Sequence, residues 1–194
     1  MSERIENPAV LPTEIRVLLD KQAITELLTR YLRAIDRGDI ATLRACYLTG
    51  ATEEHGGLYR GSAQGYIDTI EAGLTHPRAV GTHALSNVLV EVDGDRAQSE
   101  HYVLAMTRAR AADGEVKDSL IASRIVDDLE RVDGRWGIAR RRLRFDWAQD
   151  LAPRPDRWLW GRLDPADLLH GEKYPTDLVY DGITTAPRSA ADGE

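Results

Sequence analysis

The five histidines are the starting point, because imidazole takes and gives protons near neutral pH. They are His55, His76, His83, His101 and His170, and no two share a short ligand spacing. His83 opens a long alternating run in "VGTHALSN" (residues 80–87). Parity places it with Leu85, Asn87 and Leu89, and places Thr82, Ala84, Val88 and Val90 on the other face. Both faces are substantially apolar, so the ring is not simply solvated. Taken alone, such a histidine reads as a core or rim residue satisfied by a backbone carbonyl. A carboxylate partner changes that reading. It fixes the tautomer and stabilises the imidazolium, so the ring can act as a general base. Asp36, in "RYLRAIDRGD" (residues 30–39), is the candidate partner. The plain alternative for Asp36 is a solvated acid at a helix end.

Other chemistry-bearing constellations are weaker. "TEEHGG" (residues 52–57) offers Glu53, Glu54 and His55 to a metal. Neighbours on a strand alternate faces, so at most two of the three converge, and no metal is expected. The chain has no Gly-rich phosphate loop, G-x-S-x-G elbow or H-E-x-x-H pair, and no cofactor is expected. The basic run "ARRRLR" (residues 139–144) alternates as a half-exposed strand would. Parity decides which of Arg140, Arg141 and Arg142 points inward.

These side chains need elements to hold them. Ile15, Leu18, Leu19, Ile24, Leu27, Leu28, Tyr31, Leu32 and Ile35 recur at helical spacing, with a break expected near Asp20. Gly38 suits the position just past the helix end. Residues 39–48 read as a second helix capped by Asp39, and residues 60–74 as a third with Ser62 as a cap. From Val80 four long alternating runs follow, separated by Asp-Gly turns near residues 93–96, 112–115 and 133–135. Asp-Gly supplies the positive φ of tight hairpins, so the runs form an antiparallel meander. Helices first and a curved sheet afterwards make an α+β domain, with a pocket where the sheet bends away. The expected divisions are an arm over 1–12, the domain over 13–150, an aromatic-rich extension over 151–183 and a disordered tail over 184–194.

Composition narrows the function classes. The chain has 194 residues, 42% of them hydrophobic and 29% charged, with a net charge of −7. That is ordinary for a soluble domain and unlike a basic nucleic-acid binder. Cys46 is the single cysteine, which excludes an intrachain disulfide and suits a reducing cytoplasm. No run approaches a membrane span and no signal-peptide core opens the chain, so a cytoplasmic location is expected.

Four stretches carry a family resemblance: "DKQAITELLTRYLRAIDRGDIATLRACY", "YRGSAQGYIDTI", "THALSNVLVEVDGDRAQSEHYVL" and "DDLERVDGRWGIARRRL". In order and spacing they resemble the SnoaL-like group of the nuclear transport factor 2-like superfamily, over about residues 20–147. The resemblance implies a cone: a strongly bent, mostly antiparallel sheet around N-terminal helices, with a deep apolar pocket. Within the group the chain is most similar to scytalone dehydratase, bile acid 7α-dehydratase and hexachlorocyclohexane dehydrochlorinase. By that likeness His83 and Asp36 form a catalytic dyad, Tyr31 matches an acid and Arg141 an arginine near the leaving group. Ala105 stands near where bile acid 7α-dehydratase carries an acid, which argues against that substrate. The function implied is a cofactor-independent lyase of dehydratase type, acting on a hydrophobic, cyclic small molecule in a dimer or trimer. An isomerase, a polyketide cyclase and a non-catalytic binding or assembly subunit are the alternatives. Tyr31 and Asp36 lie about 140° apart round a helix. Both can border one pocket only if the helix end points into it.

Overall fold

A computed structural model of the chain describes residues 12–77, 79–110, 116–151, 164, 167 and 169–181. Helix α1 (Thr13–Arg37) is continuous, and no break occurs at Asp20. Asp20 is held from the side instead: its Oδ1 accepts from Arg131 Nη1 at 2.6 Å and Trp136 Nε1 at 2.9 Å. Such tertiary partners outweigh the weak helix propensity of an acid. Ile24, Leu27, Leu28, Tyr31, Leu32, Ala34 and Ile35 form the buried stripe of α1.

The helix stops at Gly38, which takes φ 66°. The Gly38 amide donates to Ile35 O and the Asp39 amide to Ala34 O, satisfying carbonyls that a helix end leaves open. Asp39 then caps α2 (Ile40–Ala45), accepting from the Thr42 amide. This helix is shorter than the expected span to Leu48. Tyr47 already belongs to strand β1 (Tyr47–His55), because it pairs in parallel with Ile138. Strand β2 (Tyr59–Ser62) follows, and Ser62 caps α3 (Ala63–Leu74) by accepting from the Gly65 amide. β1 and β2 add two strands to the four that alternation predicts. Their polar residues hide the usual signal, since Glu53 is buried and the inner face here is a polar wall.

The long strands are β3 (Val80–Asp93), β4 (Arg96–Arg110), β5 (Val116–Val132) and β6 (Arg135–Leu151). The sheet order is β2-β1-β6-β5-β4-β3, antiparallel except for the β1–β6 pair. The turns at residues 94 and 134 carry glycines at φ 59° and 76°. The turn expected at 112–115 lies outside the described residues, as do residues 1–11 of the arm, most of the extension and the 184–194 tail.

Two of the sheet's irregularities decide how the side chains around His83 and Arg141 face. The β3–β4 register shifts between Ser86 and Leu89, where Asn87 adopts φ 50°. A β-bulge adds one residue and exchanges the two faces of a strand. His83 and Leu85 therefore face inward before the bulge, and Val88, Val90 and Val92 after it, while Leu89 is 69% exposed. The face predicted from parity, with Asn87 and Leu89 beside His83, holds only as far as Leu85. On β6 the register shifts between Asp128 and Leu129, with Ala139 left between the paired residues Ile138 and Arg140. Ile138 and Arg141 consequently share the inner face despite their odd spacing. Among the described residues, no helix is long and apolar enough to cross a membrane.

Candidate active site

α1, α3 and the concave face of the sheet enclose a cavity of about 320 Å³. Its apolar lining includes Leu32, Ile35, Ile70, Leu74, Val103 and Phe145. Tyr31, His55, Tyr66, His83 and Arg141 supply polar groups to the same lining. His55 is on β1 and His83 on β3, four strand positions apart. On a flat sheet that spacing is roughly 19 Å. Both border one small cavity because the sheet curls. A second hollow, about 480 Å³, lies by Thr13, Asp20 and Arg131 and shares no lining residue with the first.

His83 is held by two contacts from one carboxylate. Its Nδ1 lies 2.6 Å from Asp36 Oδ1, and its backbone amide donates to Asp36 Oδ2 at 3.1 Å. The carboxylate favours the tautomer with a proton on Nδ1, which leaves Nε2 as the basic nitrogen. The Asp36 side chain is 13% exposed and that of His83 is 21%. Asp36 itself does not line the cavity. The angular conflict between Tyr31 and Asp36 is thereby resolved: Tyr31 faces the cavity directly, and Asp36 acts from behind the imidazole.

Tyr31 is buried, and the Arg141 guanidinium carbon sits 3.9 Å from its ring centroid. Such a contact is a cation–π pair. Burial raises the Tyr31 hydroxyl above its ordinary pKa, although Arg141 opposes this. Arg141 forms a two-pronged pair with Asp127, Nε to Oδ1 at 2.8 Å and Nη2 to Oδ2 at 2.7 Å. Burial disfavours its charge, but Asp127, Tyr47 and Tyr31 outweigh that and keep the guanidinium charged. Its Nη1 is buried without a hydrogen-bond partner. Arg140 and Arg142 point away and pair with Asp128.

Residues 16–142 match the SnoaL-like domain family. The chain belongs to that family. No curated protein matches it by sequence. A candidate scytalone dehydratase from Novosphingobium aromaticivorans is 24% identical, with a TM-score of 0.65 over 73% of this chain and 94% of that one. The type 3 hexachlorocyclohexane dehydrochlorinase LinA from Novosphingobium barchaimii is 21% identical, with a TM-score of 0.62 over 72% and 95%. A Mycobacterium tuberculosis protein of unknown function is 27% identical, with a TM-score of 0.56 over 71% and 78%. At these identities the first two likenesses establish the shared cone fold.

This SnoaL-like cavity holds a group that motif reasoning passed over. Glu53 is fully buried and accepts at both oxygens, from His55 Nδ1 at 2.9 Å and from the Tyr47 hydroxyl at 2.7 Å. Glu53 and His55, two apart on β1, share a face; Glu54 points elsewhere and pairs with Arg144. Weighed only as metal ligands, the three residues do not converge. Among the described residues no three acidic, histidine or cysteine groups are arranged to hold a metal. The usable signal was the E-x-H spacing itself. Asp127 was also missed, since nothing in "RIVDDL" separates it from Asp128 except strand phase. His76 and His170 do not line the cavity. His101 is buried with its Nδ1 unpartnered, and burial pulls its pKa down to about 4.

Proposed function

We propose that this protein is a cofactor-independent lyase that removes water or a similar group from a hydrophobic, cyclic small molecule. His83 is the general base. Its Nε2 takes a proton from a carbon acidified by a neighbouring carbonyl or its vinylogue. Asp36 orients the ring and stabilises the imidazolium that forms. Arg141 offers Nη1 to the carbonyl or to the departing group, and Tyr31 holds the guanidinium in place. The observation that carries this reading is the 2.6 Å contact between Asp36 and His83 at the wall of an apolar cavity. A cavity of about 320 Å³ suits a ligand of one to three rings. Return of the proton to another carbon would make the same machinery an isomerase.

A carbon acid with its own leaving group tests the base without knowledge of the natural substrate. 5-Nitrobenzisoxazole loses its ring C–H proton and opens at the N–O bond, releasing a coloured phenolate. Wild-type protein is expected to catalyse this opening. His83→Ala should lose about 10²–10⁴-fold, the usual worth of a positioned base. Asp36→Asn keeps the shape but neither fixes the tautomer nor balances the imidazolium, so its loss should fall in the same range, about 10²–10⁴-fold. A folded His83→Ala protein with wild-type turnover would sink the assignment.

A further inference from the structure

Across the cavity from His83 stands a second imidazole held by a second carboxylate. Glu53 fixes His55 through Nδ1, and His55 Nε2 lies 3.1 Å from the Tyr66 hydroxyl on α3. The His55 and Tyr66 rings are stacked with centroids 4.5 Å apart, and both border the cavity. The charged and titratable groups around this chain are Glu53 and Tyr47 on β1, Tyr59 on β2, Tyr31 on α1 and Arg141 on β6. Glu53 is the acidic group that contacts His55, so it is the counter-charge for a protonated ring.

The direction of the Tyr66–His55 hydrogen bond depends on that proton. A neutral His55, with its hydrogen on Nδ1, accepts from Tyr66. A His55 imidazolium donates from Nε2 to the Tyr66 oxygen, and the Tyr66 proton is then free to point into the cavity. Burial pushes the Tyr66 hydroxyl far above its ordinary range. It releases its proton only as another replaces it.

We propose that Tyr66, recharged by His55 and Glu53, is the general acid of this cavity and protonates the leaving oxygen. This rests on His83 as the base. The carbon–hydrogen electron pair becomes the new π bond as its proton moves to His83 Nε2. The carbon–oxygen pair departs with the oxygen. That oxygen takes the Tyr66 proton, and Tyr66 takes the Nε2 proton of the His55 imidazolium. Water leaves, His83 ends protonated and His55 neutral, and exchange with solvent resets both. The two polar walls of the cone then have separate tasks.

A leaving-group series separates this role from a structural one. 5-Nitrobenzisoxazole expels a weakly basic phenolate that needs little help; unsubstituted benzisoxazole expels a more basic one that needs an acid. Tyr66→Phe and His55→Gln should lose about 10²-fold on the second, within the usual worth of a positioned acid, and at least about tenfold less than that on the first. Equal losses on both substrates would mark the network as structural and overturn the proposal. His83→Ala should lose activity on both, so failure of the base is read from a different variant. If wild-type protein opens neither compound, the base reading fails, and the acid is judged by binding. Salicylonitrile, the product phenol, should shift the His55 ring ¹⁵N resonances in wild-type protein and not in Tyr66→Phe. Unshifted His55 resonances in the wild type would overturn the proposal.

Discussion

Asp36 and His83 are separated by 47 positions of sequence and meet at 2.6 Å. Taken alone, each had a plain reading, a solvated acid at a helix end and a satisfied histidine in an alternating run, and the family resemblance is what paired them. Their neighbours were less legible. Arg141 could not be told from Arg140 and Arg142, because the bulge that turns it inward leaves no compositional mark. His101 shows what burial does to another imidazole. Burial lowers its pKa to about 4 against an ordinary 6.5, Arg141 adds to this, and Asp127 opposes it. As pH falls below 6.5 the unfolded chain takes a proton that the folded protein refuses. Stability from this group is therefore complete above about pH 6.5 and lost progressively toward pH 4, by roughly 3 kcal/mol. Urea midpoints measured at pH 7 and pH 4.5 should diverge, and His101→Gln should narrow the gap. An unchanged gap in the variant would place the acid sensitivity elsewhere.

Among the elements, the C-terminal end of α1 carries the heaviest geometric demand. It must stop two residues after Asp36 and turn sharply into α2. Gly38 does this at φ 66°, and a Cβ there would meet Leu74 O at 2.7 Å. Gly38→Ala should destabilise the protein by roughly 1–3 kcal/mol and displace Asp36 from His83. Thermal unfolding checks the first effect; a wild-type melting temperature would mean that the helix end can relax. The helices and the four long strands were legible because periodicity and Asp-Gly turns are strong local signals. β1 and β2 were not. They owe their place to pairing with a distant strand, and β1 buries Glu53 where alternation would call for an apolar residue.

At the scale of the whole molecule, sheet curvature turns residues on separate strands into one wall. A C-terminal segment adds support from outside. Lys173 Nζ donates to the Asp36 carbonyl at 2.8 Å, and the Tyr174 amide donates to Arg37 O at 2.8 Å. Burial lowers the Lys173 pKa below its ordinary value, against the pull of Asp36. Asp177 ties the segment together, accepting from the Glu172 and Val179 amides and pairing with Arg37 at 3.5 Å. Asp177→Ala should speed hydrogen exchange at Tyr174. Unchanged protection there would show that the segment is anchored without Asp177.

The bulge around Ala139 makes the chemistry of the cavity a matter of counting. Inserting one residue after Ala139, with the bulge kept, would rotate Arg141 outward and Arg140 and Arg142 toward Tyr31, with no side chain substituted. A single-codon insertion in β6 can thus exchange the charged lining wholesale. Within this architecture, new substrate preferences can arise by frame as readily as by replacement.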